Sequence, residues 1–172
     1  MASATYTLID SYTVGAGGAA SVTLGSGGTI PQTYTDLKVI ISDRNNRTSA
    51  INDAIGLNFN GSATSFTSRR LYGDGGSAYS DTEPLYPIID NSVNSTTSTF
   101  SNIEFYIPNY TSSNYKSFSG DGVMENNSST AYATLSASLW SNTAAITSIT
   151  IVLQNASFVQ YSTFYLYGIK NS

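Results

Sequence analysis

Five carboxylates lie close enough along the chain to work in pairs. Asp74, Asp81 and Glu83 share one polar stretch, and Asp121 and Glu125 share another. Two carboxyls across a cleft are what glycoside hydrolysis uses, one as acid and the other as base or nucleophile. The same groups are what calcium takes from loops, with Asp74, Asp81 and Glu83 the set that would hold it. Turn formation competes with both readings, because Asp among glycines, as in Gly73-Asp74-Gly75-Gly76, closes side-chain turns on a solvated surface. No EF-hand or nonapeptide calcium repeat is present, so turns are the expectation, and no catalytic residue, cofactor or metal is assigned. The remaining repertoire is narrow. With no cysteine and no histidine, the chain lacks thiolate nucleophiles, disulfides, Cys/His zinc sites and every imidazole-based triad. The Gly73 stretch also lacks the Lys-Ser/Thr of a phosphate loop.

Binding residues are better represented than reacting ones. Arg44, Arg47, Arg69 and Arg70 supply four of the seven basic side chains, with Asp43, Asp53 and Asp74 as nearby partners. In a charge-poor chain such arginines form fixed pairs within or between subunits more readily than phosphate sites. Tyr106, Tyr110, Tyr115, Tyr132, Trp140, Tyr165 and Tyr167 fall on positions that alternate away from, or lie beyond, the most apolar faces. They suit three roles: core of a second sheet, a subunit interface, or a stacking platform for sugars. Arg69, Arg70, Tyr72, Tyr106, Tyr110, Trp140, Tyr165 and Tyr167 are the interface candidates.

These side chains must be positioned by strands. Leu37, Val39 and Ile41 alternate with polar neighbours, as do Ile55, Leu57 and Phe59, then Ile103, Phe105 and Ile107, and finally Ile149, Ile151 and Leu153. Ala131, Ala133, Leu135, Ala137 and Leu139 are expected to form another buried face, with Tyr132, Thr134, Ser136, Ser138 and Trp140 opposite. Helical periodicity is nearly absent, and one turn at 142–146 is the most the pattern supports. Glycine, Asn and Asp clusters separate the runs. Residues 43–53 are expected as a charged, Asn-rich loop, and 73–98 as a long polar insertion of the kind that carries binding. Nine or ten short strands in 172 residues predict one domain, 1–172: an all-β, two-sheet antiparallel sandwich, jelly-roll-like.

Composition sets further bounds. Ser, Thr and Asn make up 64 of the 172 residues and charged residues 10%, against about 25% in an ordinary soluble domain. Aromatics at 12% argue for a folded chain over a disordered one. Net charge is −4 and Arg69-Arg70 is the only adjacent basic pair, so no nucleic-acid footprint exists. No apolar run approaches the ~20 residues that cross a bilayer, and the start Met1-Ala2-Ser3-Ala4 lacks the features of a secretory signal.

Several segments together carry a resemblance. They are Tyr6-Thr7-Leu8-Ile9, Arg70-Leu71-Tyr72-Gly73-Asp74-Gly75, Phe105-Tyr106-Ile107-Pro108-Asn109-Tyr110, Leu139-Trp140-Ser141-Asn142-Thr143-Ala144-Ala145-Ile146, and Ser162-Thr163-Phe164-Tyr165-Leu166-Tyr167-Gly168-Ile169-Lys170. With them the chain resembles small β-rich virion structural proteins of tailed bacteriophages, notably those of marine bacteria and cyanobacteria. The resemblance implies a non-enzymatic protein of the virion, made in the host cytoplasm. The expected function is capsid decoration: cementing the outer shell by binding the major capsid protein or other virion proteins, as a homo-oligomer, expected to be a homotrimer. The alternative is a tail-fibre or receptor-binding module that touches a host glycan. A carbohydrate-active enzyme using Asp74, Asp81 or Glu83 is the reading with least support.

Overall fold

The computed structural model describes residues 5–25 and 29–170. Residues 26–28 of the glycine turn expected after Leu24, and the opening residues 1–4, lie outside the described residues. Twelve strands follow in order: β1 (Tyr6–Thr13), β2 (Ser21–Leu24), β3 (Asp36–Asp43), β4 (Asn52–Phe59), β5 (Phe66–Gly73), β6 (Ala78–Asp81), β7 (Ile88–Asn91), β8 (Ser101–Ile107), β9 (Lys116–Met124), β10 (Tyr132–Trp140), β11 (Ile149–Leu153) and β12 (Thr163–Ile169). None of the described residues is helical. At 142–146 the expected helical turn is instead an irregular loop, whose carbonyls are spent on Lys116: its Nζ donates to Asn142 and Ala144.

Two antiparallel sheets result. One has eight strands in the order β1-β12-β3-β8-β9-β10-β5-β6, the other four in the order β2-β11-β4-β7. They pack face to face as a sandwich around one apolar core, which takes Leu37, Val39 and Ile41 from β3, Ile55, Leu57 and Phe59 from β4, Ile103, Phe105 and Ile107 from β8, and Ile149 and Ile151 from β11. Period-2 alternation produces this core directly, since every second side chain of a strand points to the same face. The hairpins β5–β6 and β9–β10 add four strands to the set β1-β12-β3-β8 of the long sheet, and the short sheet packs across it from β1 and β12, which meet β2, to β9 and β10, which meet β7. Strands β5 and β6 form the edge of the long sheet beyond β10. The connection from β6 to β7 runs back beneath this extension: Ser68 Oγ donates to the Glu83 carbonyl at 2.5 Å and Arg70 Nη1 to the Tyr86 carbonyl at 3.4 Å.

Three expectations are corrected. Two strands, β6 and β7, lie inside the stretch 73–98, and β7 is buried along its whole length. The loop expected at 43–53 runs only between β3 and β4, and its margins turn inward, with Asp43, Arg44, Asn45 and Asp53 all buried. Strand β10 is inverted: Thr134, Ser136, Ser138 and Trp140 face inward, while Ala133, Leu135 and Ala137 face solvent. The cause is lack of room. β9 offers glycines on the inner face, and a Cβ on Gly122 would come within 2.5 Å of Ile88 Cγ2. Between such closely placed elements hydroxyl side chains fit and leucines do not.

Candidate functional site

The outer face of the eight-stranded sheet collects the side chains able to bind. Strand pairing places Leu71, Leu135, Asp121, Glu104, Ile40 and Tyr165 on one continuous row across β5, β10, β9, β8, β3 and β12. The adjacent row carries Arg69, Ala137, Ser119, Tyr106, Lys38, Tyr167 and, on β1, Leu8. The face thus has two halves.

On the β1-β12-β3-β8 half the tyrosines are held in place by polar and ring contacts. Tyr6 meets Tyr167 edge-on with centroids 6.4 Å apart, and Tyr165 lies 6.5 Å from Tyr167. Lys38 Nζ pairs with Glu104 at 2.7 Å and sits 5.9 Å over the Tyr6 ring, and its pKa is raised chiefly by that bond to Glu104. Tyr106 donates its hydroxyl to Asp36 Oδ2 at 2.7 Å, and that acceptor raises the phenol pKa. Leu8 and Tyr6 are each half exposed.

On the β9-β10-β5-β6 half the surface is aliphatic. Leu71, Leu135 and Val123 project outward, with Arg69 at one side and Asp121 at the other. Desolvation, then the neighbouring Glu104, pushes the Asp121 carboxyl up.

No family model, no curated protein and no solved structure matches this chain. Its function is therefore argued from this face and from the side chains around it.

The interface candidates divide among three places. Arg69, Tyr106, Tyr165 and Tyr167 share the outer face. Arg70 and Tyr72 lie on the opposite side of the sheet, at its overhanging edge. Arg70 binds Asp81 through two bonds, at 2.6 and 3.0 Å, and covers the Tyr72 ring at 5.1 Å. Tyr72 stacks on Tyr79 at 5.1 Å and meets Tyr132 at 6.2 Å. Tyr110 and Trp140 are corrected from interface to core, at 0% and 1% exposed. Tyr110 reaches inward to donate its hydroxyl to the Pro31 carbonyl. Trp140 packs edge-on to Phe59 at 5.4 Å and nearly parallel to Phe66 at 6.2 Å. Of the other arginines, Arg47 pairs with Asp53 at 3.1 Å, and Arg44 donates to the carbonyls of Ser95, Thr96 and Thr99 instead of to a carboxylate.

Asp74 and Asp81 are occupied structurally. Asp74 accepts the amides of Gly76 and Ser77 and the Tyr79 hydroxyl, which hold its pKa below the ordinary value. Asp81 is Arg70's partner. Among the described residues no group of three Asp, Glu, His or Cys is placed to hold a metal ion. Asp43, expected as an arginine partner, instead faces Asp90, which sequence reasoning passed over; both are fully buried between the sheets. Also missed were Leu71, Leu135 and Val123. The alternation that marks the outward row on β10 was visible, but the pattern alone does not say which face of a strand turns inward.

Proposed function

We propose that this chain is a non-enzymatic structural protein of a virion, a decoration protein that binds the outer shell through the tyrosine-bearing half of its long sheet. The observation that carries the reading is the placement of Tyr6, Leu8, Tyr106, Tyr165 and Tyr167 together on one outward face. Tyrosine supplies large contact area at low cost in side-chain entropy and leaves a hydroxyl for the polar rim, which is why interfaces are rich in it. An open sheet face suits an extended protein surface better than a small substrate, which prefers a concavity. Apolar burial contributes about 25 cal/mol per Å². The resemblance to phage virion proteins supplies the shell as the partner, and the strand frame β1-β12-β3-β8 over β2-β11-β4-β7 is read as the two Greek keys of a jelly roll.

A second reading rests on another observation. Tyr72, Tyr79 and Tyr132 form a ring cluster at the overhanging edge beside Asp74, the aromatic-plus-acceptor combination that contacts sugars. It favours a receptor-binding module for a host glycan.

Copy number decides between them. Hundreds of copies per purified virion, counted against the major capsid protein, support decoration. A few to a few tens place the chain on the tail and favour the glycan reading. Absence from the particle overturns both.

A further inference from the structure

We infer that the aliphatic half of the long sheet, on β9, β10 and β5, pairs two copies of this chain face to face about a two-fold axis. Leu71 is 59%, Leu135 56% and Val123 46% exposed, a high exposure for three neighbouring aliphatic side chains on one sheet face. Leu71 and Leu135 stand opposite each other in register, forming a ridge across two strands. An open hollow flanks the ridge on either side. One, of about 780 Å³, lies toward Arg69 and Ala137, and the other, of about 400 Å³, lies toward Gly73 and Ala133. Small residues, Ser119 and Ala137 in the first and Gly73, Ala78 and Ala133 in the second, line part of each hollow and leave room for an incoming side chain.

The charges at the margins are self-complementary. Arg69 bonds its own neighbour's carbonyl, that of Ser68, at 3.1 Å and, among the described residues, forms no ion pair. Asp121 forms none either, and it lies across β10 from Arg69, one strand to the other side and two residues along. An isologous contact brings each side chain of a pair to the other's counterpart. An axis in the plane of the contact that sets Arg69 of each copy against Asp121 of the other passes between Leu135 and Ala137. On a flat projection with strands about 4.8 Å apart and residues about 3.4 Å apart, the same operation seats both leucines. Leu135 enters the hollow bounded by Arg69 and Ala137, and Leu71 enters the hollow bounded by Gly73 and Ala133. One choice of axis satisfies charge and shape together, which commits the surface to a second copy of this chain over an unrelated partner.

The pairing uses the half of the face that shell binding does not, and it stands independently of the virion reading. Sedimentation equilibrium of the full chain tests it. The expected result is a dimer that Leu135→Arg weakens by more than about a hundredfold, because two like charges then meet at the axis. Arg69→Asp and Asp121→Arg each weaken it by about tenfold, and the combined swap restores it. Should Leu135→Arg fail to fold, Ala137→Glu at the floor of the larger hollow serves in its place. A wild-type chain that is monomeric up to millimolar concentration overturns the pairing, as does a trimer, or a charge swap that fails to restore association. A monomer that still decorates capsids overturns the pairing alone, and a dimer absent from virions overturns decoration alone.

Discussion

Asp43, the last residue of β3, and Asp90 on β7 face each other carboxyl to carboxyl inside the sandwich, both fully buried. The groups around them are the Ser101 hydroxyl, the Asn45 amide, which donates to Asp90 Oδ2 at 2.7 Å, and the carboxylate of Asp53, which adds repulsion. Neither nearby arginine neutralises the pair, since Arg44 is turned to the 95–99 carbonyls and Arg47 to Asp53. Both Asp43 oxygens and Asp90 Oδ1 lack a close donor while both acids are ionised. One shared proton joins Asp90 to one Asp43 oxygen, and the Ser101 hydroxyl is the donor facing Asp43.

That proton makes stability depend on pH. Burial pushes Asp43 up to about 7 and Asp90 well above the ordinary carboxylate range. Raised folded-state values mean that the native chain keeps a proton the unfolded chain has already lost. The stabilisation is complete below about pH 4 and is lost as pH rises through about 7, at up to about 1.4 kcal/mol per pH unit per proton. Thermal melts across this window should show Tm falling toward alkaline pH. In Asp43→Asn/Asp90→Asn, which keeps the shapes and removes the titration, the slope should vanish.

Lys116 is 1% exposed and, among the described residues, pairs with no carboxylate; its Nζ donates to the carbonyls of Ser112, Asn114 and Ala144 at 2.7, 2.7 and 2.8 Å. Desolvation lowers its pKa. Lys116→Met fills the same space yet strands those acceptors, and should cost about 3 kcal/mol in denaturant titrations. A loss within about half a kcal/mol would mean that the carbonyls find water instead.

Gly56 sits on β4 where the backbone of Leu85 crosses it, and a Cβ there would overlap the Leu85 carbonyl. Gly56→Ala should therefore lift the 82–87 connection off the extension. The expected reading is a loss of about 3 kcal/mol or more, together with faster amide exchange at Ser68 and Arg70.

Arg44 fastens the 92–99 loop through three backbone carbonyls. Lysine keeps the charge but not the planar fork. Arg44→Lys should raise hydrogen exchange across 92–99 while leaving the β4 and β11 amides protected, and equal exchange in both proteins would sink the clamp.

Much of this molecule was legible before folding. Alternation at Leu37-Val39-Ile41 and Ile103-Phe105-Ile107 marked core strands because the two strands pair directly and share one apolar face. Trp140 and Tyr110 misled for the converse reason: each is amphipathic and alternates with, or follows, polar residues on its own face, yet long-range packing draws it inward. Tyr110 becomes an anchor for Pro31, 79 positions away. The inversion of β10 was hidden because it depends on Gly120 and Gly122 of the adjoining strand and on Ile88 of the other sheet, which bring the two layers close. The buried acids were invisible for a related reason, since Asp43 and Asp90 look like turn residues until β3 and β7 are brought together.

Strand β12 lies between β1 and β3, pairing with both along nearly its whole length. During synthesis β1 emerges long before β12, so β1 waits without this partner while the strands between them are made. Neither that sheet edge nor the core contacts of Phe164 and Leu166 can form until β12 has emerged. The nascent chain is thus exposed to strand-edge aggregation over that interval, and its folding is slow, as expected where contacts are predominantly non-local.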